Sequence, residues 1–293
     1  MPQGTVLGPI LFLLFINDLP NTISSNIKLF ADDCVLYRNV NSVSDHYDLQ
    51  KDLSRLESWA GNWQMSFAAK KCMKMTITLK RTPSLFDCRL CNHRLEGVSY
   101  QKYLGVVITS TLNWSTQCEE VKKKANRVLG VLQRNLSSCS RPIKERAYLS
   151  LVRPLTEYGT TAWSPQTSKG IAIIESVQRR AARFTQQDYR RTSSVTSMID
   201  QLGWESLEAR RERKDLELFY KIHNGLVDIG FPDEIVRSSS RTRGHNARYR
   251  QPACTVNAYK DSFFPRTVPI WNKLSSPSIN SCNLGAFKAA LGN

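Results

Sequence analysis

The sequence predicts an α+β protein, and three observations carry that expectation. Short apolar runs rich in strand formers, broken by turn residues, occupy much of the first 115 positions. From about residue 115 the apolar side chains recur at helical spacing instead. The composition, 41% hydrophobic and 23% charged over 293 residues, is that of a chain able to bury a sizeable core. The expected organisation is a mixed region over 1–115, a helical basic region over 116–235 and a loosely packed C-terminal tail over 236–293.

In order, residues 7–17 form an apolar run that predicts a buried helix with Leu11, Leu14 and Phe15 on one face. Residues 27–30 and 34–37 predict a β-hairpin with Asp32 and Asp33 at its tip. Two acids there have two readings. They can cap their own backbone, as turn residues do. They can also converge on a divalent cation, because Mg²⁺ takes carboxylate oxygens and leaves positions open for phosphates.

Leu49, Leu53, Leu56, Ala60 and Trp63 then mark an amphipathic helix, with Asp48, Lys51, Asp52 and Arg55 available to its solvated side. Met75, Ile77 and Leu79 alternate as a half-buried strand. Residues 86–90 and 95–98 predict two strands joined by a turn at Cys91-Asn92-His93. A zinc reading of Cys88, Cys91 and His93 is disfavoured, because no second Cys/His pair of matching spacing follows. Tyr103-Leu104-Gly105-Val106-Val107-Ile108 reads as a strand whose glycine permits close backbone approach.

Three helices follow. Val121, Ala125, Val128, Leu129 and Leu132 define the first, which also carries Lys122, Lys123, Lys124 and Arg127. Ile143, Ala147, Leu151 and Val152 define the second. Ile171, Ile174, Val177, Ala181 and Phe184 define the third, with Arg179, Arg180 and Arg183. A single charge run is usually a solvated face. Residues 238–250, rich in arginine and poor in apolar side chains, predict a flexible linker that folds on nucleic acid.

The net charge of +16 favours a polyanionic partner, nucleic acid first, because neutralising phosphates releases counterions. A membrane is the weaker competitor: no apolar run reaches the roughly 18 residues of a spanning helix. Residues 6–16 lack the basic leader and cleavage site of a signal peptide and contain Pro9. Eight scattered cysteines then predict reduced thiols in the cytosol or nucleus.

Several strings stand in register: Pro2-Gln3-Gly4-x-x-Leu7-Gly8-Pro9, Ile16-Asn17-Asp18-Leu19, Phe30-Ala31-Asp32-Asp33, Trp63-x-Met65-x-Phe67-Ala68-x-x-Lys71-Cys72 and Tyr103-Leu104-Gly105. Farther on come Arg153-Pro154-Leu155-x-Glu157-Tyr158-Gly159, Leu202-Gly203-Trp204 and Ser262-Phe263-Phe264-Pro265-Arg266. With them the chain resembles the reverse transcriptases of non-long-terminal-repeat retrotransposons, most closely the jockey-like group, over nearly its whole length.

That resemblance implies a partial reverse-transcriptase palm followed by a helical thumb, and a partner made of RNA template, DNA primer and deoxynucleoside triphosphates. Asp32 would be the direct metal ligand and Asp33 the more peripheral one, in a centre of two Mg²⁺ ions. Pro2, Gln3, Gly4, Phe30, Ala31 and Lys71 would bind nucleotide and template, with Lys71 balancing the triphosphate. Tyr103, Leu104 and Gly105 would form the primer grip. Lys122, Lys123, Lys124, Arg127, Arg179, Arg180 and Arg183 would hold the duplex backbone without reading sequence.

The chain departs from the pattern at Ala68, where the family usually has Asn. It also opens on the Pro-Gln-Gly loop, whereas the family has fingers and a strand with a further catalytic aspartate before it. The expectation is therefore little polymerase activity from this chain alone. The alternatives are a non-catalytic nucleic-acid-binding remnant and an unrelated α+β protein. An exposed apolar edge on the palm is expected as well.

Overall fold

The computed structural model describes residues 5–81, 86–238 and 245–292. The chain divides into two compact units, Met1–Tyr100 and Gln101–Asn293. The α+β class holds, with short two-stranded sheets among longer helices.

In the first unit, helix α1 (Leu7–Ile16) leads through a short turn to the hairpin of β1 (Asn26–Phe30) and β2 (Asp33–Tyr37). The strands are antiparallel, in register from Asn26↔Tyr37 to Phe30↔Asp33. Helix α2 (Val43–Asn62) follows, its start fixed by a capping box between Ser42 and Asp45. The core gathers Ile16 and Leu19, the α2 side chains Leu53, Leu56, Trp59 and Ala60, and Cys88, Leu90 and Leu95.

Four expectations are corrected here. Helix α1 forms, but it is not buried: Leu11 and Leu14 are exposed, and only Ile16 is fully covered, with Phe12 and Phe15 half-buried beside it. An all-apolar helix has no preferred face of its own, so the neighbours decide which stripe is covered. On α2 the buried tryptophan is Trp59, while Trp63 caps the helix end and stays 45% exposed. Asp52, expected at the solvated side, is fully buried. Met75, Ile77 and Leu79 are not in a strand, because β3 stops at Met73–Lys74.

β3 pairs in parallel with β6 (Glu96–Gly97) for two residues only, which leaves residues 75–80 without a ladder. Between them β4 (Arg89–Leu90) and β5 (His93–Arg94) form a tight hairpin. Its turn residues Cys91 and Asn92 sit at φ 49° and 59°, the left-handed pair that matches the twist of a hairpin. His93 therefore belongs to the strand.

The second unit begins one residue into β7 (Tyr100–Tyr103), which forms a hairpin with β8 (Val106–Thr109), and then becomes helical. Helix α3 (Ser115–Asn135) buries Val121, Ala125, Leu129 and Leu132, as its spacing predicts. Next come α4 (Arg141–Ala147), a π-helical turn at Tyr148–Val152 and α5 (Arg153–Glu157). Here the expected face holds only in part, since Val152 is buried and Ala147 packs half-buried against the core. Ile143 and Leu151 are exposed, and Lys144, Tyr148, Val152 and Thr156 are buried. Pro154 has no N–H to offer the preceding turn, which is π-helical, and Tyr148 and Val152 face inward where side chains of α3 and residues 177–184 receive them.

Helix α6 (Ser168–Gln186) packs Val177, Ala181 and Phe184 against α3 and the π-turn. Helices α7 (Val195–Gln201) and α8 (Leu207–His223) follow, then α9 (Asn257–Lys260), α10 (Phe263–Trp271), α11 (Ser276–Ile279) and α12 (Leu284–Ala290).

The expected loose tail is a packed core instead. Phe219 and Tyr220 of α8 meet Tyr249, Val268, Trp271, Ile279 and Phe287. The expected linker is also corrected where it is described. Ser238 donates its N–H to Arg248 O at 2.9 Å and Arg250 to Val236 O at 2.8 Å, and His245 and Tyr249 are buried. Residues 239–244 lie outside the described residues.

Candidate functional site

The β1–β2 hairpin closes on the pair Phe30↔Asp33, so Ala31 and Asp32 are its two turn residues. Ala31 sits at φ 50°, a left-handed conformation that costs an alanine about 1 kcal/mol. Asp32 and Asp33 are both exposed, and Phe30 beside them is 61% exposed.

Both ends of the hairpin are tied to α2. Before β1, Ser24 N–H and Ser25 N–H donate to the Asp52 carboxylate at 3.1 and 2.7 Å, and the Ser24 hydroxyl donates at 2.9 Å. After β2, Arg38 donates to Asp48 at 2.7 Å and to the Ser24 and Ser25 hydroxyls at 3.3 Å. Arg55 completes the Asp52 pair at 2.7 Å. Burial works against charge on Asp52, but the hydrogen bonds from Ser25 and Ser24 outweigh it and hold the carboxyl well below the usual range.

Sequence reasoning missed this anchor. Its signal was a carboxylate on the stripe of Leu49, Leu53 and Leu56, where a solvated residue does not belong. The Ile-Asn-Asp-Leu string is tied in likewise, since Trp59 Nε1–H donates to Asp18 at 3.0 Å.

Lys71 ends the short turn Ala69–Lys71 and is exposed. Ala68, in place of the expected Asn, does not prevent the turn from closing: Lys71 N–H reaches Ala68 O at 2.8 Å and Cys72 N–H reaches Ala69 O at 3.1 Å. Leu29 and Leu36 of the hairpin and Phe67 and Cys72 of this segment pack on one core. Asp32, Asp33, Phe30, Ala31 and Lys71 thus share the first unit. Pro2, Gln3 and Gly4 lie outside the described residues.

Two open carboxylates at one hairpin tip have the donor chemistry of a hard divalent cation. Among the described residues no group of three or more Asp, Glu, His or Cys could hold a metal.

In the second unit, Leu104 and Gly105 form the turn between β7 and β8, at φ 45° and 82°. On α3 and α6 the basic residues differ in what they touch. Lys123, Lys124, Arg127 and Arg179 are exposed, with no side-chain partner among the described residues. Lys122 lies 3.6 Å from Glu119. Arg180 bridges to α3 through Asn126 at 3.1 Å and Gln133 at 2.8 Å, and Arg183 donates to Arg190 O at 2.9 Å. All these partners but Glu119 are neutral, so the two helices keep most of their positive charge.

Below them Glu157 is buried between Arg210 and Lys214, the latter at 2.9 Å, with Arg153 at 3.6 Å. Burial raises its carboxyl, but the bonds from Arg210 and Lys214 prevail and hold it low.

Residues 1–109 match the family model described as reverse transcriptase (RNA-dependent DNA polymerase). The chain is 28% identical over 194 residues to the probable RNA-directed DNA polymerase from transposon X-element of Drosophila melanogaster, covering 63% of this chain and 21% of that protein. It is 26% identical over 197 residues to the RNA-directed DNA polymerase from mobile element jockey of the same organism, covering 62% and 21%.

This chain is similar to the jockey-like reverse transcriptases. A Pol polyprotein from type-1 retrotransposable element R1 of Nasonia vitripennis is 24% identical over 217 residues, covering 69% of this chain and 64% of that protein. The jockey relative spans about five times the length that this chain matches. No solved structure matches. The hairpin with Asp32 and Asp33, the Lys71 turn and the Leu104-Gly105 turn all fall within the part matched to the reverse-transcriptase family. No helix among the described residues is long and apolar enough to cross a membrane.

Proposed function

We propose that this chain is part of an RNA-directed DNA polymerase of a non-long-terminal-repeat retrotransposon, joining deoxynucleotides to a DNA primer paired with an RNA template. The observation that carries the reading is the pair of exposed carboxylates at a hairpin tip within the family-matched residues. In this reading residues 1–115 are a partial palm, 116–235 a thumb and 236–293 a distal region.

Two Mg²⁺ ions, when bound, supply activation of the primer 3′-hydroxyl and stabilisation of the leaving pyrophosphate. Asp32 holds the metal directly and Asp33 supports it. Lys71, exposed at its turn, offsets triphosphate charge, while Pro2, Gln3, Gly4, Phe30 and Ala31 line the template and nucleotide. Tyr103, Leu104 and Gly105 receive the primer. Lys122, Lys123, Lys124, Arg127, Arg179, Arg180 and Arg183 grip the duplex backbone, the fully open ones first. A cytosolic or nuclear location suits the eight free cysteines.

Two carboxylates offer fewer oxygens than two ions take, and among the described residues no third acid joins them. The chain by itself therefore extends primers poorly, since losing an electrostatic partner of the reacting phosphate costs about 3 kcal/mol or more. Because the open cations of α3 and α6 do not depend on that metal centre, nucleic-acid binding without catalysis is the second reading.

Primer extension by the purified chain on an RNA template with Mg²⁺ tests both. The expected result is duplex binding that weakens steeply with salt and no extension. Strong extension abolished by Asp32→Asn would overturn the inactivity, and salt-insensitive binding would overturn the nucleic-acid reading altogether.

A further inference from the structure

The Leu104-Gly105 turn is held from outside its own hairpin. The Tyr158 hydroxyl, at the end of α5, donates to Leu104 O at 3.0 Å. Its ring lies against the next residue: a Cβ on Gly105 would stand 3.1 Å from Tyr158 Cε1. One tyrosine thus covers both turn residues. Gly105 is needed there twice, for its φ of +82° and for the room the ring takes.

Tyr158 is itself well placed. Its carbonyl accepts from Trp163 Nε1–H at 3.0 Å, and Trp163 is fully buried. Glu157, one residue before, is locked by Arg210 and Lys214. Gly159, one residue after, turns the chain at φ +64° against Val106 of the same hairpin. Yet Tyr158 remains 58% exposed, so the clamp sits at the surface beside the turn rather than in a core.

We propose that Tyr158 is a positioning residue for the strand end that the Leu104-Gly105 turn receives. The proposal rests on the reading of this turn as the primer grip. A two-residue turn with both residues at positive φ has few side-chain restraints of its own. The hydroxyl fixes the Leu104 carbonyl and the ring fixes the Gly105 backbone, so the turn meets the terminal sugar and phosphate of a primer in one preset pose. This also accounts for the Glu-Tyr-Gly string: the acid anchors, the tyrosine clamps and the glycine lets the chain close on the hairpin.

The test uses the full chain and two probes of equal length, a duplex with a recessed primer 3′ end and a blunt duplex, with amide exchange over residues 101–109 measured alongside. Wild type prefers the recessed end. Tyr158→Phe, which removes only a surface hydroxyl, lowers that preference about fivefold, the equivalent of one neutral hydrogen bond. It leaves blunt-duplex affinity unchanged and speeds exchange at residues 103–107 alone. Gly105→Ala, which pushes the ring away, lowers the preference likewise. Wild-type preference that survives Tyr158→Phe within twofold overturns the proposal while the primer-grip reading stands. Equal wild-type binding to both probes overturns the primer-grip reading, and the proposal with it.

Discussion

Asp52→Ala should release the acidic hairpin from α2. The carboxylate is fully buried and accepts from Ser24 N–H, the Ser24 hydroxyl, Ser25 N–H and Arg55 at 2.7 to 3.1 Å. Alanine leaves the Ser25 N–H buried without an acceptor and takes the partner from Arg55. A stranded buried donor costs about 1–3 kcal/mol, and breaking a buried charged network about 3–5 kcal/mol in total.

The damage should be local, because Ser24 and Ser25 lead directly into β1 and Arg38, just after β2, bonds to the same two hydroxyls. A loss of about 3 kcal/mol is roughly a 150-fold change in opening, readable as faster amide exchange over residues 26–37. Asp52→Asn keeps one acceptor and should cost less than half as much. Because the folded carboxyl is held below its unfolded value, its contribution is complete above about pH 4 and is lost as pH falls through the lower folded value. Acid should therefore destabilise wild type more than Asp52→Asn. Unchanged exchange over residues 26–37 in Asp52→Ala would refute this account, as would equal loss throughout residues 101–293.

Glu157→Gln should lower the melting temperature by about 5–10 °C, because Arg210 and Lys214 lose a buried counter-ion worth about 2–4 kcal/mol; calorimetry reads this directly. Replacing Lys123, Lys124 and Arg127 together by alanine should leave the melt unchanged. It should reduce the slope of log affinity for duplex against log salt by about 2.7 if all three meet phosphates. Leu14→Lys, at a side chain 69% exposed on α1, should reduce self-association in sedimentation while shifting stability by no more than about 0.5 kcal/mol.

What the sequence by itself determined is what neighbours along the chain can encode. The helices of the basic region, the hairpin that presents Asp32 and Asp33, and the likeness to jockey-like reverse transcriptases were all legible, because periodicity and short ordered strings are local signals. Tertiary structure decided which faces those elements turn inward. Asp52 is buried because Ser24 and Ser25, 28 and 27 residues away, supply the donors that make burial tolerable, and Trp59 replaces Trp63 in the core where Asp18, 41 residues away, meets its indole. Tyr148 turns inward with Val152 because α3 and α6 receive them, which helical spacing alone does not show. In the arginine-rich segment near the end, His245, Ala247 and Tyr249 are held by Trp271 and Asn272, whose side chains and carbonyl bond to them. In each case the deciding partner is distant in sequence, and a buried polar group is stable only where that partner arrives.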